Sequence, residues 1–67
     1  MKKGFLVTGG GRLEVSCCEK GFEYVLLNAN DVVMVQGVLE KNNIKFYEAV
    51  LEIKDLLKIK DMICFDL

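Results

Sequence analysis

Four groups of residues in this 67-residue chain have types and spacings that could do chemistry. The first is Gly9-Gly10-Gly11, directly after the run Phe5-Leu6-Val7-Thr8. A glycine loop after a strand can cradle phosphate, because bare backbone N–H groups approach closely, usually at a helix N-terminus. Here the glycines are consecutive, not spaced as G-x-G-x-x-G, and no G-K-[ST] follows. The next segment reads as a strand, and there is no second βαβ unit to hold a nucleotide. A hairpin tip, allowed by glycine's freedom at positive φ, explains the triplet better.

The second group is Cys17-Cys18, with Lys20 close by and Cys64 as a third thiol. A thiolate is a nucleophile and a metal ligand. Yet the chain has no histidine to act as base or ligand, and no C-x-x-C pair, so neither a zinc site nor a thioredoxin-like activity is expected. Adjacent cysteines rarely bridge each other, because disulfide geometry does not fit them. Three free thiols suit a reducing compartment, and cytoplasmic is the default location. As small hydrophobes the cysteines are expected to be buried.

The third group is Glu48, Glu52 and Asp55, spaced by four and three. Paired carboxylates do acid–base work when a pocket separates their pKa values. No pocket is implied here, and Lys45 and Lys58 can screen them, so a solvated helix face is the expectation. The fourth is Phe22, Tyr24, Phe46 and Tyr47, which could stack single-stranded nucleic acid as small barrels do. Such platforms interleave Arg and Lys. This chain has Arg12 as its single arginine, a net charge of −1 and a pI near 5.3, so core aromatics are expected instead. The residues therefore point to no catalytic site, no cofactor and no metal, and to a protein that is not an enzyme.

What the composition does point to is association. With glycine counted and tyrosine left out, about 58% of the residues are apolar, against a usual 45–50%. A domain this small has proportionally more surface and should need fewer. The excess predicts apolar surface buried against a partner. Charge is mild and segmental: residues 1–20 carry +2, residues 21–43 carry −2 and residues 44–67 carry −1. The longest uncharged stretches, such as Val32–Leu39, fall far short of a membrane span. Met1–Val7 opens like a signal peptide, but glycines and Arg12 interrupt it before an apolar core forms.

These residues need elements to position them. Apolar runs alternate with glycine and asparagine clusters about every ten residues, a strand rhythm. Phe5–Thr8 reads as a first strand, stopped by the glycines. Arg12–Cys18 alternates with period two, with Leu13, Val15 and Cys17 on one face and Arg12, Glu14 and Ser16 on the other. That register points Cys17 inward and Cys18 outward. Glu19-Lys20-Gly21 turns the chain, and Phe22–Leu27 follows with Phe22, Tyr24 and Leu26 on one face. Asn28-Ala29-Asn30-Asp31 is a turn of residues that tolerate positive φ and bond their own backbone.

Val32–Lys41 has two readings. As a strand, its Val32-Val33-Met34-Val35 run is apolar on both faces, which predicts a central position. Asn42-Asn43 then makes a two-residue hairpin turn, setting Leu39 opposite Phe46, Val35 opposite Val50 and Glu40 opposite Lys45. As a helix, Asn30 caps it, but the valines and Gly37 weaken its interior. The strand is preferred. In the last third, Phe46, Val50, Ile53 and Leu57 share one helical face, yet Ile44–Tyr47 starts better as a strand. A strand to about residue 52, a short helical turn within 53–60 and a closing strand Ile63–Leu67 are expected.

The predicted fold is mainly β: one domain, 1–67, forming a small curled antiparallel sheet or SH3-like barrel of five to six short strands, with one short helical turn near 53–60. The alternative is α+β, with a helix at 31–41 or 46–60. The predicted function is a non-enzymatic protein-interaction module, a homodimer or the partner of another protein, that regulates or inhibits what it binds. Its plainness fits small accessory proteins of phages or mobile elements. Val33, Val35, Leu39 and Phe46 are the predicted partner-binding residues, since pairing such a run with another chain is a common recognition mode. A small barrel binding single-stranded nucleic acid, and a thiol- or phosphate-site enzyme subunit, are the alternatives.

Overall fold

A computed structural model describes residues 1–65. Within them the fold is mainly β, as the alternation predicts: five antiparallel strands in one open sheet, and one helix. The elements run β1 (Lys2–Val7), β2 (Arg12–Cys18), β3 (Gly21–Leu27), β4 (Val33–Leu39), α1 (Phe46–Leu56) and β5 (Met62–Phe65). In space the strands are ordered β4-β3-β2-β1-β5. The sheet does not close into a barrel; β4 and β5 are its two edges.

Period-two patterning selects one face of this sheet as the core. Phe5 pairs with Leu13 across β1 and β2, and Val15 pairs with Tyr24 across β2 and β3. Phe22 pairs with Leu39 across β3 and β4. These side chains lie on the same face, and Phe5, Leu13, Val15, Phe22 and Tyr24 are buried. The face is covered by α1, which contributes Ala49, Val50 and Ile53 to the same cluster. Phe46, at the start of the helix, meets Phe22 edge to face, with centroids 5.8 Å apart and planes at 67°, a favoured aromatic geometry.

The turns follow from local chemistry. Between β1 and β2, Gly9 and Gly10 take φ of 101° and 96°, and the Gly10 N–H donates to Val7 O at 3.2 Å. Only glycine adopts this region without strain, so the triplet is the hairpin tip that its composition predicts. Between β3 and β4, Asn28 Oδ1 accepts from the N–H groups of Asn30 at 2.8 Å and Val32 at 3.1 Å, and Asp31 sits at φ 63°. Asn and Asp are the residues that tolerate such a turn.

The helix is where structure and local preference part. Phe46–Leu56 is helical from its first residue, so the strand predicted up to residue 52 does not form, and the helical turn placed near 53–60 is the end of a longer helix. The hairpin register from Asn42-Asn43 also fails: Leu39 pairs with Phe22 and Val35 with Leu26, both on β3. The reason is tertiary. A further strand there would have left the apolar face of Phe5, Leu13 and Val15 facing water, whereas a helix with Val50 and Ile53 on one side covers it. Residues 66 and 67 of the predicted closing strand lie outside the described residues; β5 begins at Met62.

Both helix ends are satisfied by the chain itself. The Lys45 N–H donates to Glu48 Oε1 at 3.2 Å, one half of a reciprocal cap. At the other end, Ile59 N donates to Lys54 O at 3.0 Å and Lys58 N to Asp55 O at 3.1 Å. This is a Schellman arrangement with Lys58, at φ 58°, in the left-handed position that glycine favours. No helix among the described residues is long and apolar enough to cross a membrane.

Ile53 is fully buried and Leu51 is exposed. Ile53→Ala should therefore destabilise the protein by about 2–5 kcal/mol, and Leu51→Ala by less than about 0.5 kcal/mol, both read from urea unfolding midpoints. A strand over this segment would place residues 51 and 53 on one face and give them similar costs. Lys58→Gly should stabilise by about 1 kcal/mol in the same assay, because it relieves the left-handed residue.

Candidate functional site

The predicted partner-binding residues divide between the core and the surface. Leu39 and Phe46 pack against the core cluster and are half-buried. Val33 and Val35 lie on β4, which is an edge strand and not the central strand that its two-sided apolar run predicts. With Met34 and Val38 they form a row whose members are each 40–59% exposed. Met34 and Val38 were not singled out from the sequence, although the uncharged run Val32–Leu39 contains them.

The geometry of β4 explains why so much apolar surface stays outside. Its inner side is filled from β3: Cβ at Gly37 would sit 2.6 Å from Tyr24 Oη and 2.9 Å from Tyr24 Cζ. The Tyr24 ring therefore occupies the place of a side chain on β4. Glycine is required at position 37 by this close approach. Near its start the strand carries a register shift, with Leu26 opposite Val35 and Leu27 opposite Val33, so Met34 is an extra residue. Such a bulge bends and twists an edge. Beyond it, Val35–Leu39 pairs regularly with β3 on one side; on the other side the sheet ends.

Edges of this kind are usually blunted by lysine, proline or short length. β4 has seven residues with no charge and no proline. The opposite edge, β5, has four residues and follows Lys58, Lys60 and Asp61. The two edges are thus unequal, and β4 is the less protected.

Charge is arranged around this edge in pairs. On the sheet face away from the helix, Arg12 Nε donates to Glu14 Oε2 at 2.8 Å, and Arg12 Nη1 donates to Asp31 Oδ1. The Arg12 guanidinium is held above its ordinary pKa by Glu14 first and Asp31 second. On the helix side, Lys41 Nζ contacts Glu52 Oε1 at 2.5 Å. Glu23 and Glu40, beside and beyond β4, have no such partner among the described residues. A shallow depression of about 330 Å³ lies over β3 and β4, lined by Glu23, Val25, Gln36 and Val38 with the backbone between them.

The other chemical groups do not converge. Cys17 and Cys64 are exposed and Cys18 is half-exposed, all as free thiols. The expectation that they are buried fails because Cys17 stands at the far end of β2, and Cys64 on edge strand β5, beyond the helix's cover. The glycine triplet joins β1 to β2 and leads into no helix. Of the four aromatics, Phe22 and Tyr24 are buried, Phe46 is half-buried and Tyr47 alone is exposed, so they share no open stacking face. Glu48 accepts from the Lys45 backbone N–H and Glu52 accepts from the Lys41 ammonium, so neither is left to pair with another carboxylate.

The chain matches no family model, no curated protein and no solved structure at a significant level, so the functional reading rests on this geometry alone.

Because Val35 stands on an edge and is 40% exposed, Val35→Asp should leave the fold intact. The expected loss is below about 1 kcal/mol by urea unfolding. A loss above about 3 kcal/mol would mean that the charge had been forced into the core.

Proposed function

We propose that this protein is a non-enzymatic interaction module that binds another chain by adding a strand to the edge at β4. The observation that carries this reading is the unprotected edge itself: seven uncharged residues, with Val33, Met34, Val35 and Val38 exposed and one side of the backbone unpaired. An added strand would satisfy the free N–H and C=O groups and cover the valines and Met34 at once. The main-chain bonds supply affinity; the side chains at alternate positions supply choice of partner.

Such a module regulates by occupancy. A partner segment held as a sixth strand is withdrawn from whatever else it would bind, which is how a protein without catalytic groups acts as an inhibitor. The apolar excess in the composition agrees with a surface that is covered in use. A second copy is one candidate for the added strand, giving a homodimer with a continuous sheet.

The test is strand addition itself. The neutral peptide TVTVTVT, titrated into ¹⁵N-labelled protein, should shift the amides of residues 33–39 far more than those of β5. In the double variant Met34→Lys with Val38→Lys the shifts at β4 should disappear while the remaining spectrum stays that of the folded protein. Shifts spread evenly over the sheet, or undiminished by the two lysines, would end the proposal.

A further inference from the structure

Resting on β4 as the binding edge, the charges around it choose its occupant. Between Gly21 and Glu40 the chain carries Glu23, Asp31 and Glu40 and no lysine or arginine. Asp31 is neutralised by Arg12 and Lys41 by Glu52. At the Glu40 end of the strand, the β2–β3 turn carries one charge of each sign, Glu19 and Lys20. Two carboxylates beside β4 have no ion-pair partner among the described residues: Glu23, whose register partner on β4 is Val38, and Glu40, the residue directly after β4.

A second copy fits this pattern poorly. A twofold antiparallel pairing through β4 runs the Glu40 end of each chain toward the Asp31 end of the other. It also places both Glu23 side chains on one face of the joined sheet. A second copy brings no free positive charge to Glu23 or Glu40 along that seam, whereas a basic strand would pair with both.

We propose that the strand received by β4 belongs to a different protein, and that it is apolar along its length with Lys or Arg at the positions beside Val38 and Glu40. A residue next to Val38 on an added strand lies two strand spacings, about 9.6 Å, from the Glu23 backbone. A Lys or Arg stem laid across Val38, reaching toward an extended Glu side chain, closes that distance, with its methylenes on the valine and its charge at the carboxylate. The segment is therefore basic and apolar, and the charges act mainly on partner choice and association rate.

The experiment compares the peptides KVKVTVT and EVEVTVT, whose charged residues 1 and 3 fall beside Glu40 and Val38 in an antiparallel addition, by ¹⁵N chemical-shift titration at 50 mM and 300 mM salt. Light scattering on the free protein runs alongside. The basic peptide should bind about fivefold more tightly at low salt, in line with two exposed carboxylate contacts, and the preference should shrink at high salt. Glu23→Gln with Glu40→Gln should abolish the preference while leaving the affinity for neutral TVTVTVT unchanged. Equal affinity for the two charged peptides, or a preference that survives the double variant, overturns this inference and leaves strand addition standing. A stable dimer of the free protein whose β4 amides are protected does the same. Failure of every peptide to perturb β4 in a monomeric protein removes the underlying function as well.

Discussion

Everything in this fold depends on one cover: a single helix over one apolar face of a five-stranded sheet. Leu13, Val15 and Ile53 are the largest fully buried side chains at that contact, each worth roughly 1.5–3 kcal/mol of burial. In a chain of 67 residues there is little else to rely on, since a domain of this size removes only about 60% of its unfolded surface from water. Among the described residues no side-chain N or O atom is buried without a hydrogen-bond partner, so this core loses nothing to unsatisfied polar groups.

The cover also dictates topology. β4 and β5 run in the same direction and lie at opposite edges of the sheet. Strands so related cannot be joined by a tight turn and need a crossing connection. The helix supplies it, and in crossing it reaches Phe5 on β1, Leu13 and Val15 on β2, and Phe22 and Tyr24 on β3. It is too short, at 11 residues, to shield both margins as well. Exposure of Val35, Cys17 and Cys64 has this common cause: they stand at inner positions of strands that run past the helix.

At β4 the consequence is a surface of a particular kind. Tyr24 takes the inner place that Gly37 leaves open, so the strand is held from one side by an aromatic ring and the β3 ladder. The Arg12–Asp31 pair ties the β3–β4 turn to β2, which anchors the start of the strand where its bulge lies. The edge is thus presented by a firm support, as a binding surface needs to be. The apolar excess visible in the composition and the acidic balance of residues 21–43 meet at this one margin, which is why the function proposed for the chain is placed there.

How much of this was legible follows from the range of the interactions. The alternation of Leu13, Val15 and Cys17 against Arg12, Glu14 and Ser16 determined β2 to the residue, because a strand's two faces are written in nearest neighbours. Gly9-Gly10 and Asn28–Asp31 determined their turns for the same reason: positive φ and side-chain-to-backbone bonds are local. The run Val32–Leu39 announced a strand and an apolar surface. Its place at the edge did not follow from its own residues, since valines on both faces suit a buried centre equally well. Residues 46–56 carried helical spacing together with a strand-like start, and only the need to cover Phe5, Leu13 and Val15, more than 30 residues earlier in the chain, decided for the helix. The sequence by itself determined which segments are apolar and where the chain turns. The tertiary structure alone decided which apolar residues would be covered, because one short helix cannot cover them all.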